Sequence, residues 1–252
     1  MTLLITGGAS GIGAATARLA AARGHKVAIN YRSREAEAKA VVADIIAKGG
    51  RAVALLADVS READISGLFD GAEKALGPIT HVVNSAGISA SSRVEDFDAA
   101  VLVKLFAVNA VGLMLCCREA ARRMSTRRGG KGGVIVNVSS MAATIGGRPG
   151  ASAYAASKAA VDSFTMGFAK EVAPEGIRAV SLRPGMIETE MTERTLADRE
   201  VRAAIESTIA MGRVGQAGEI ANAILWLLSD EASFISGVTL DASGGGFVFG
   251  KR

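Results

Sequence analysis

The segment Tyr154-Ala155-Ala156-Ser157-Lys158 sets a phenol and an ammonium four residues apart. On a helix, two such residues share a face, one turn from each other. A free tyrosine has a pKa of ~10, too high for ready proton exchange near neutrality. A neighbouring ammonium, or another positive charge brought to the site, favours the phenolate and is expected to lower that value. A tyrosine tuned in this way can give a proton to an oxygen on which charge develops during carbonyl reduction, and take it back in the reverse direction. Two hydroxyls, Ser139 and Ser140, close the apolar run Val134 to Val138. At the carboxyl end of a parallel strand a serine faces the ligand crevice, where it can hold a substrate oxygen without itself ionising.

A second constellation lies at the start of the chain, in Thr6-Gly7-Gly8-Ala9-Ser10-Gly11-Ile12-Gly13. It follows a β-like run and opens a helical one, which is where a pyrophosphate sits: glycines let the backbone turn and approach, and the unpaired N–H groups of a helix start attract negative charge. The spacing is Gly-x3-Gly-x-Gly rather than G-x-G-x-x-G. Gly7, Ser10, Gly11, Ile12 and Gly13 are therefore candidate cofactor contacts. After the second β-like run comes Asn30-Tyr31-Arg32-Ser33-Arg34, with no acid before Glu35. An acid at this place binds ribose hydroxyls of NAD; a planar guanidinium suits a 2′-phosphate instead. Arg32 with Ser33 thus favours NADP(H) over NAD(H). Asp58 and Val59, after the third run, are placed to meet an adenine ring, and Asn84-Ser85-Ala86-Gly87, after the fourth, to line the cleft.

These groups need a frame. Short β-like runs (Leu3 to Thr6, Lys26 to Asn30, Ala52 to Ala57, Ile79 to Val83, Val134 to Val138, Ile177 to Leu182, with Val238 to Leu240 able to close the sheet) alternate with helical stripes such as Ile65, Leu68, Phe69, Ala72 and Leu76. Ala99 to Met124 reads as one long helix or two in series. The β-like runs are apolar on both sides, which suits a parallel sheet covered on both faces. The pattern predicts an α/β fold: a Rossmann-type doubly wound parallel sheet of about seven strands in a three-layer αβα arrangement. No interdomain linker is visible, so residues 1–252 are expected to form a single domain.

Composition narrows the function. Glycine, 30 of 252 residues, is roughly 12% against a usual ~7%. A net charge of +4 and only 4% aromatic residues leave little for nucleic-acid binding. No uninterrupted apolar run nears the ~18 residues of a membrane span, and Met1 leads into Thr2-Leu3-Leu4-Ile5 without a basic leader region. Cys116 and Cys117 cannot form a disulfide framework and are expected as buried thiols in a reducing, cytoplasmic setting. His25 and His81 have no partners at metal-binding spacing, so no metal is expected. Arg122, Arg123, Arg127, Arg128 and Lys131 form a basic run, either a solvated face or a surface for an acidic partner.

Taken together, TGGASGIG at Thr6 to Gly13, NSAG at Asn84 to Gly87, Asn109 in Val108-Asn109-Ala110, the strand-end Ser140, YAASK at Tyr154 to Lys158 and PGMIET at Pro184 to Thr189 resemble the short-chain dehydrogenase/reductase family from Thr2 to about Gly245. The resemblance implies a tetrad of Asn109, Ser140, Tyr154 and Lys158: Tyr154 as acid/base, Ser140 orienting the substrate oxygen, Lys158 binding the nicotinamide ribose and lowering the tyrosine pKa, and Asn109 holding a water of the proton relay. It implies cofactor contacts at Asn84, Ala86, Gly87, Pro184, Gly185, Ile187 and Thr189, a substrate lid over about 190–212, and a homotetramer joined through the long helices. The implied activity is an NADP(H)-dependent interconversion of a ketone and a secondary alcohol, in the group of 3-oxoacyl-carrier-protein reductases, whose carrier protein could dock on the basic run. Oxidation of a sugar at C1, as by the glucose 1-dehydrogenases of the same group, is the alternative, and a dinucleotide sensor without turnover the remote one. Two departures stand out. The gap from Ser140 to Tyr154 is one residue longer than usual, which leaves Ser139 as a fallback, and Leu240-Asp241-Ala242-Ser243-Gly244-Gly245 replaces a more usual Val-Asp-Gly-Gly.

Overall fold

The structure, a computed structural model, describes residues 1–246. Along the chain run β1 (Thr2–Thr6), α1 (Gly11–Ala22), β2 (Lys26–Tyr31), α2 (Glu35–Ala47), β3 (Arg51–Leu56), α3 (Glu62–Leu76), β4 (Ile79–Asn84), α4 (Ala99–Phe106), α5 (Leu113–Met124), β5 (Gly133–Val138), α6 (Ala142–Ile145), α7 (Ser152–Val172), β6 (Ile177–Pro184), β7 (Ile187–Glu188), α8 (Glu193–Leu196), α9 (Arg199–Glu206), β8 (Gly215–Gln216), α10 (Ala217–Leu228) and β9 (Thr239–Ala242). Seven strands form one sheet in the order β3-β2-β1-β4-β5-β6-β9, every pair parallel. The expected doubly wound sheet is the observed one. Its strands differ from expectation by a residue or two: β3 ends at Leu56 rather than Ala57, and the closing strand starts at Thr239.

The two-sided apolar runs have a direct physical use. Successive side chains of a strand point to opposite faces. Leu4 and Val82 face a cluster built with Phe69 of α3, Cys116 and Cys117 of α5 and Val161 of α7. Their neighbours Leu3 and Val83 face the other cluster, with Ala17 of α1, Val41 of α2 and Ile224 of α10. Fully burying a side chain of this size contributes about 1.5–3 kcal/mol, so both faces hold the sheet between helical layers.

The stretch Ala99–Met124, with a mean hydropathy of 2.2, is the one described helix long and apolar enough to cross a membrane by length and composition. Lys104 and Asn109 interrupt its apolar sequence, and Leu113, Cys116, Ala120 and Met124 pack into the core. It is neither one regular helix nor two separate ones: α4 and α5 are joined by a π-helical turn over Ala107–Gly112. Such widened turns recur at functional sites. Here one end of it makes room for a close approach, because a Cβ on Gly112 would lie 2.3 Å from the Val59 carbonyl oxygen.

Between β6 and α10 lies an excursion carrying α8 and α9, closed at its base by the parallel β7–β8 pair. Leu196, Ile205, Ile209 and Val214 form a small core of their own, with Met186 against it. The expected lid over 190–212 falls within this excursion, which is a folded unit rather than an open loop.

Candidate active site

The sheet order reverses between β1 and β4, and in a doubly wound sheet the crevice outside the strand ends at that point receives the ligand. The chain is drawn tight there. Thr6 Oγ1 accepts the N–H groups of both Ser85 and Ala86 at 3.1 Å. Gly7, at φ +67°, lies so close to the loop after β4 that a Cβ would meet Ala86 Cα at 2.8 Å. Asn30, buried at the end of β2, accepts the Gly7 N–H at 3.3 Å and donates to Ala57 O at 2.8 Å, tying the glycine loop to the loop after β3. The sequence reading missed Asn30, because a single polar residue inside an apolar run carries no periodic signal.

Over this crossing opens a cavity of about 970 Å³. Of the residues expected at the site, Gly7, Ser10, Gly11, Ile12, Arg32, Ser33, Asp58, Val59, Ala86, Gly87, Ser140, Tyr154, Lys158, Pro184, Gly185, Ile187 and Thr189 all line it. Three do not. Gly13 sits behind the loop, where a Cβ would come within 2.3 Å of the Gly7 carbonyl oxygen. Its place is a packing requirement, not a ligand contact. Gly13→Ala is expected to cost about 1–3 kcal/mol by overpacking against backbone; a denaturant midpoint equal to that of the wild type would refute the assignment. Asn84 points into the core and donates to Asn137 Oδ1 at 2.9 Å. Asn109 is fully buried in the π-helical turn. Its Nδ2 donates to Ile88 O at 2.9 Å and Ser157 Oγ at 3.1 Å, and its Oδ1 accepts the Ile88 N–H at 2.9 Å. With both amide hydrogens and the carbonyl oxygen engaged, the side chain staples the helix to the loop after β4.

The two strand-end serines are now separable. Ser139 Oγ donates to the Lys158 carbonyl at 3.0 Å, so it is spent on the backbone of α7. Ser140 Oγ accepts the Ala142 N–H at 3.1 Å, and its hydroxyl stands within hydrogen-bonding reach of the Tyr154 phenol. Burial raises the Tyr154 pKa, and the Ser140 hydroxyl pulls it partly back. This corrects the expectation of a phenol acidified by Lys158. The ammonium lies 6.0 Å from the centroid of the tyrosine ring and donates to Val138 O at 2.9 Å. Lys158 is itself pushed down to about 8 by burial, against which Asp162 acts as a partial counter-charge. Below that value the ammonium is a nearly buried cation, held in the cavity wall.

The phosphate end has the matching character. The first turn of α1 carries no acid, and no side chain caps its N-terminus at Ser10, so its N–H groups face the cavity as an anion-attracting edge. Arg32 and Arg34 are exposed in the cavity wall and make no side-chain hydrogen bond or ion pair among the described residues. Asp58, by contrast, is engaged. Burial opposes its ionisation, but the Ser60 hydroxyl and N–H and the Lys104 ammonium, 3.1 Å away, hold its pKa down at about 2.

The remaining candidates are structural. Burial pushes the Cys117 thiol up to about 12 and the Cys116 thiol higher still, so neither is a nucleophile near neutrality. His81 bonds Thr80 Oγ1 and Leu228 O, and burial lowers its pKa to about 4. No group of residues able to hold a metal exists among the described residues. In the basic run, Arg122 and Arg123 pair with Glu119, and Arg123 also with Asp70 and Glu73. The glycine loop that follows enters β5 at its amino end, a strand's length from the cavity. A partner docked there faces the opposite end of the sheet.

A doubly wound sheet with a phenol, a hydroxyl and an ammonium converging on a glycine-edged switch point defines a dinucleotide-linked oxidoreductase. Residues 7–246 match the family described as Enoyl-(Acyl carrier protein) reductase. The chain is 43% identical over 247 residues to an uncharacterized oxidoreductase, YgfF, of Escherichia coli K12, spanning 96% of this chain and 98% of the relative. It is 39% identical to 3beta-hydroxysteroid dehydrogenase 1 of Eggerthella lenta (99% and 97%) and 36% identical to a 3-oxoacyl-[acyl-carrier-protein] reductase of Synechocystis (98% and 96%). Among solved structures, a dehydrogenase/reductase from Sinorhizobium meliloti superposes with a TM-score of 0.90 at 36% identity, covering 97% of this chain and 94% of that one. A short chain dehydrogenase from Burkholderia cenocepacia in complex with NADP gives 0.88 at 34% identity, with 96% of each chain covered. The chain belongs to the short-chain dehydrogenase/reductase family, and it is an oxidoreductase acting on CH–OH groups.

Proposed function

We propose that the protein is an NADP(H)-dependent oxidoreductase interconverting a ketone and a secondary alcohol, of the 3-oxoacyl reductase kind, with Tyr154 as the general acid in reduction. The observation that carries this is the half-buried phenol beside Ser140, in the same cavity as the uncapped start of α1. A nicotinamide dinucleotide fits the residues present: close-approach glycines at Gly7 and Gly11, free N–H groups, and two unpartnered guanidiniums at the far end. When bound, the dinucleotide supplies or accepts the hydride.

The chain's own groups do the rest. Gly7, Ser10, Gly11 and Ile12 hold the pyrophosphate by backbone N–H groups. Arg32 and Ser33 hold the 2′-phosphate, and Ala86, Gly87, Pro184, Gly185, Ile187 and Thr189 wall the nicotinamide half. Asp58, fixed by Ser60 and Lys104, presents its edge with Val59 to the adenine. Ser140 donates to the substrate oxygen, and Tyr154, kept protonated by burial, gives that oxygen its proton as charge builds there. Lys158 holds ribose hydroxyls with its ammonium and is the positive charge on which Tyr154 relies once the proton has left. Asn109 keeps α4 and α5 against the loop after β4 and so fixes the wall behind Lys158. The excursion over 190–212 acts as the substrate lid. The exposed apolar side chains Val101, Val103 and Phe106 of α4, Val111 of the π-helical turn and Met166 of α7 suit burial between subunits, in keeping with a homotetramer in the cytoplasm.

Oxidation of NADPH by β-ketoacyl thioesters, diketones and quinones, measured beside NADP reduction by aldoses, tests the activity; turnover by aldoses alone would replace it with a sugar dehydrogenase. Arg32→Asp is expected to weaken NADPH binding about 10- to 100-fold while changing NADH far less, because it exchanges a charge-assisted phosphate contact for like-charge repulsion. Equal effects in fluorescence titrations of the two dinucleotides would remove Arg32 from the phosphate.

A further inference from the structure

The segment between Ser140 and Tyr154 contains a group that the ketone chemistry does not use. Gly146, Gly147 and Gly150 all have positive φ, at +75°, +80° and +86°. A Cβ would also lie 3.0 Å from Ala151 O at Gly147 and 2.8 Å from Ser91 Oγ at Gly150. The Ser92 N–H donates to Gly150 O at 3.0 Å and the Ala151 N–H to Arg148 O at 2.8 Å. The backbone around Arg148-Pro149 is therefore held in place, and Arg148, an exposed residue, lines the cavity. That side chain makes no hydrogen bond or ion pair among the described residues.

Its position separates it from the dinucleotide. Arg32 follows β2, whereas Arg148 comes just before α7, where its carbonyl accepts the N–H of Ala151, the residue that precedes the first turn of α7 with Tyr154 in it. Arg148 thus belongs to the side where Ser140 and Tyr154 stand. The cavity lining includes apolar Met141, Ile145, Met186 and Ile209 together with the hydroxyls of Ser91, Thr192 and Thr195. Of the acids that line the cavity, Asp58 is engaged by Ser60 and Lys104, and Glu190 turns to Gly11, where its Oε2 would be 3.5 Å from an added Cβ. One free guanidinium in a mostly apolar compartment is a selectivity element: it favours an anion carried on an apolar chain, since a planar fork pairs a carboxylate through two hydrogen bonds.

We propose that Arg148 selects ketones bearing a carboxylate, so that the substrate is an oxo acid whose ketone meets Tyr154 while its acid end meets Arg148. This rests on the ketone–alcohol reading above, with Tyr154 as its proton donor, and takes a free oxo acid rather than a thioester as the substrate. The test uses acetoacetate, levulinate and 5-oxohexanoate with their methyl esters, three lengths of chain between ketone and acid. With NADPH, the wild type is expected to prefer one acid over its ester by about tenfold in kcat/KM, expressed mainly in KM. Arg148→Gln should lower that acid-to-ester ratio about tenfold, and Arg148→Lys should restore part of it. A wild type without preference for any acid, or a ratio unmoved in Arg148→Gln, overturns the proposal. Calorimetric titration of the same acids into the NADP-loaded protein reads Arg148 apart from turnover. Binding that is lost in Arg148→Gln, with no reduction of either acid or ester, sustains the anion site while the reductase reading fails; absence of binding to the wild type overturns the anion site.

Discussion

Tyr154→Phe is expected to lower NADPH-dependent ketone reduction by about 10³-fold while leaving dinucleotide affinity within a few-fold of wild type. The change removes one oxygen and keeps the ring, so the packing around α7 survives. What is lost is a proton donor held beside Ser140. General acid catalysis by a positioned group contributes typically 10²–10⁴-fold, and a 10³-fold loss is about 4 kcal/mol of transition-state stabilisation. The direction in which the phenol is displaced matters here. Burial raises the Tyr154 pKa, so before reaction the phenol is neutral at physiological pH and ready to donate. Single-turnover reduction at saturating NADPH, beside fluorescence titration of the dinucleotide, checks both halves. Retained turnover would defeat the mechanism, and lost dinucleotide binding would show that the ring, not the hydroxyl, has the main role.

Lys158→Met is expected to abolish turnover and yet raise stability in the absence of dinucleotide. The Lys158 pKa lies at about 8 rather than the usual 10.5, chiefly because burial disfavours the charged form. A tenfold change in a protonation constant is worth about 1.4 kcal/mol, so at pH 7 the folded protein carries a penalty of about 3 kcal/mol for holding the ammonium. The unfolded chain binds more protons than the folded one between about pH 8 and 10.5, and wild-type stability therefore rises with pH across that window. Methionine fills much the same volume without charge. It leaves Val138 O without its 2.9 Å donor, which takes back about 1–2 kcal/mol. The net gain of about 1–2 kcal/mol corresponds to a rise of about 2–8 °C in Tm for a chain of this size. The advantage should shrink as pH climbs from 7 to 9.5, because the wild type sheds its proton. A variant that melts below the wild type at pH 7 would show that the lysine is stabilising, and that its charge is better compensated than its surroundings indicate. Functional groups held at such a cost are a common source of trade-off between activity and stability.

The chemistry was largely readable along the chain because its signals are local. Tyr154 and Lys158 are one helical turn apart, the glycines flank one strand end, and Ser140 terminates another. Each depends on a periodicity or a neighbour within a few residues. The strand and helix order followed from the same source, since a strand buried on both faces leaves an uninterrupted apolar run. Errors gathered where a residue's role depends on a partner far away in sequence. Asn84 has the right place in its motif, yet its side chain is taken by Asn137, 53 residues on. Gly13 belongs to the glycine segment, but what requires glycine there is the carbonyl of Gly7 rather than a ligand.

The sequence alone thus determined the sheet, the strand ends that face the crevice, and the kinds of groups placed there, because backbone geometry converts spacing directly into direction. Which atoms remain free for chemistry was decided only by the tertiary structure. Ser139 and Ser140 are adjacent hydroxyls, and the carbonyl of Lys158 across the helix boundary separates them. The Tyr154 phenol moves upward in pKa rather than downward because burial outweighs the Ser140 hydrogen bond, while the Lys158 ammonium is committed to Val138 O. Desolvation and hydrogen-bond satisfaction are properties of the packed interior, set by segments that meet only after folding.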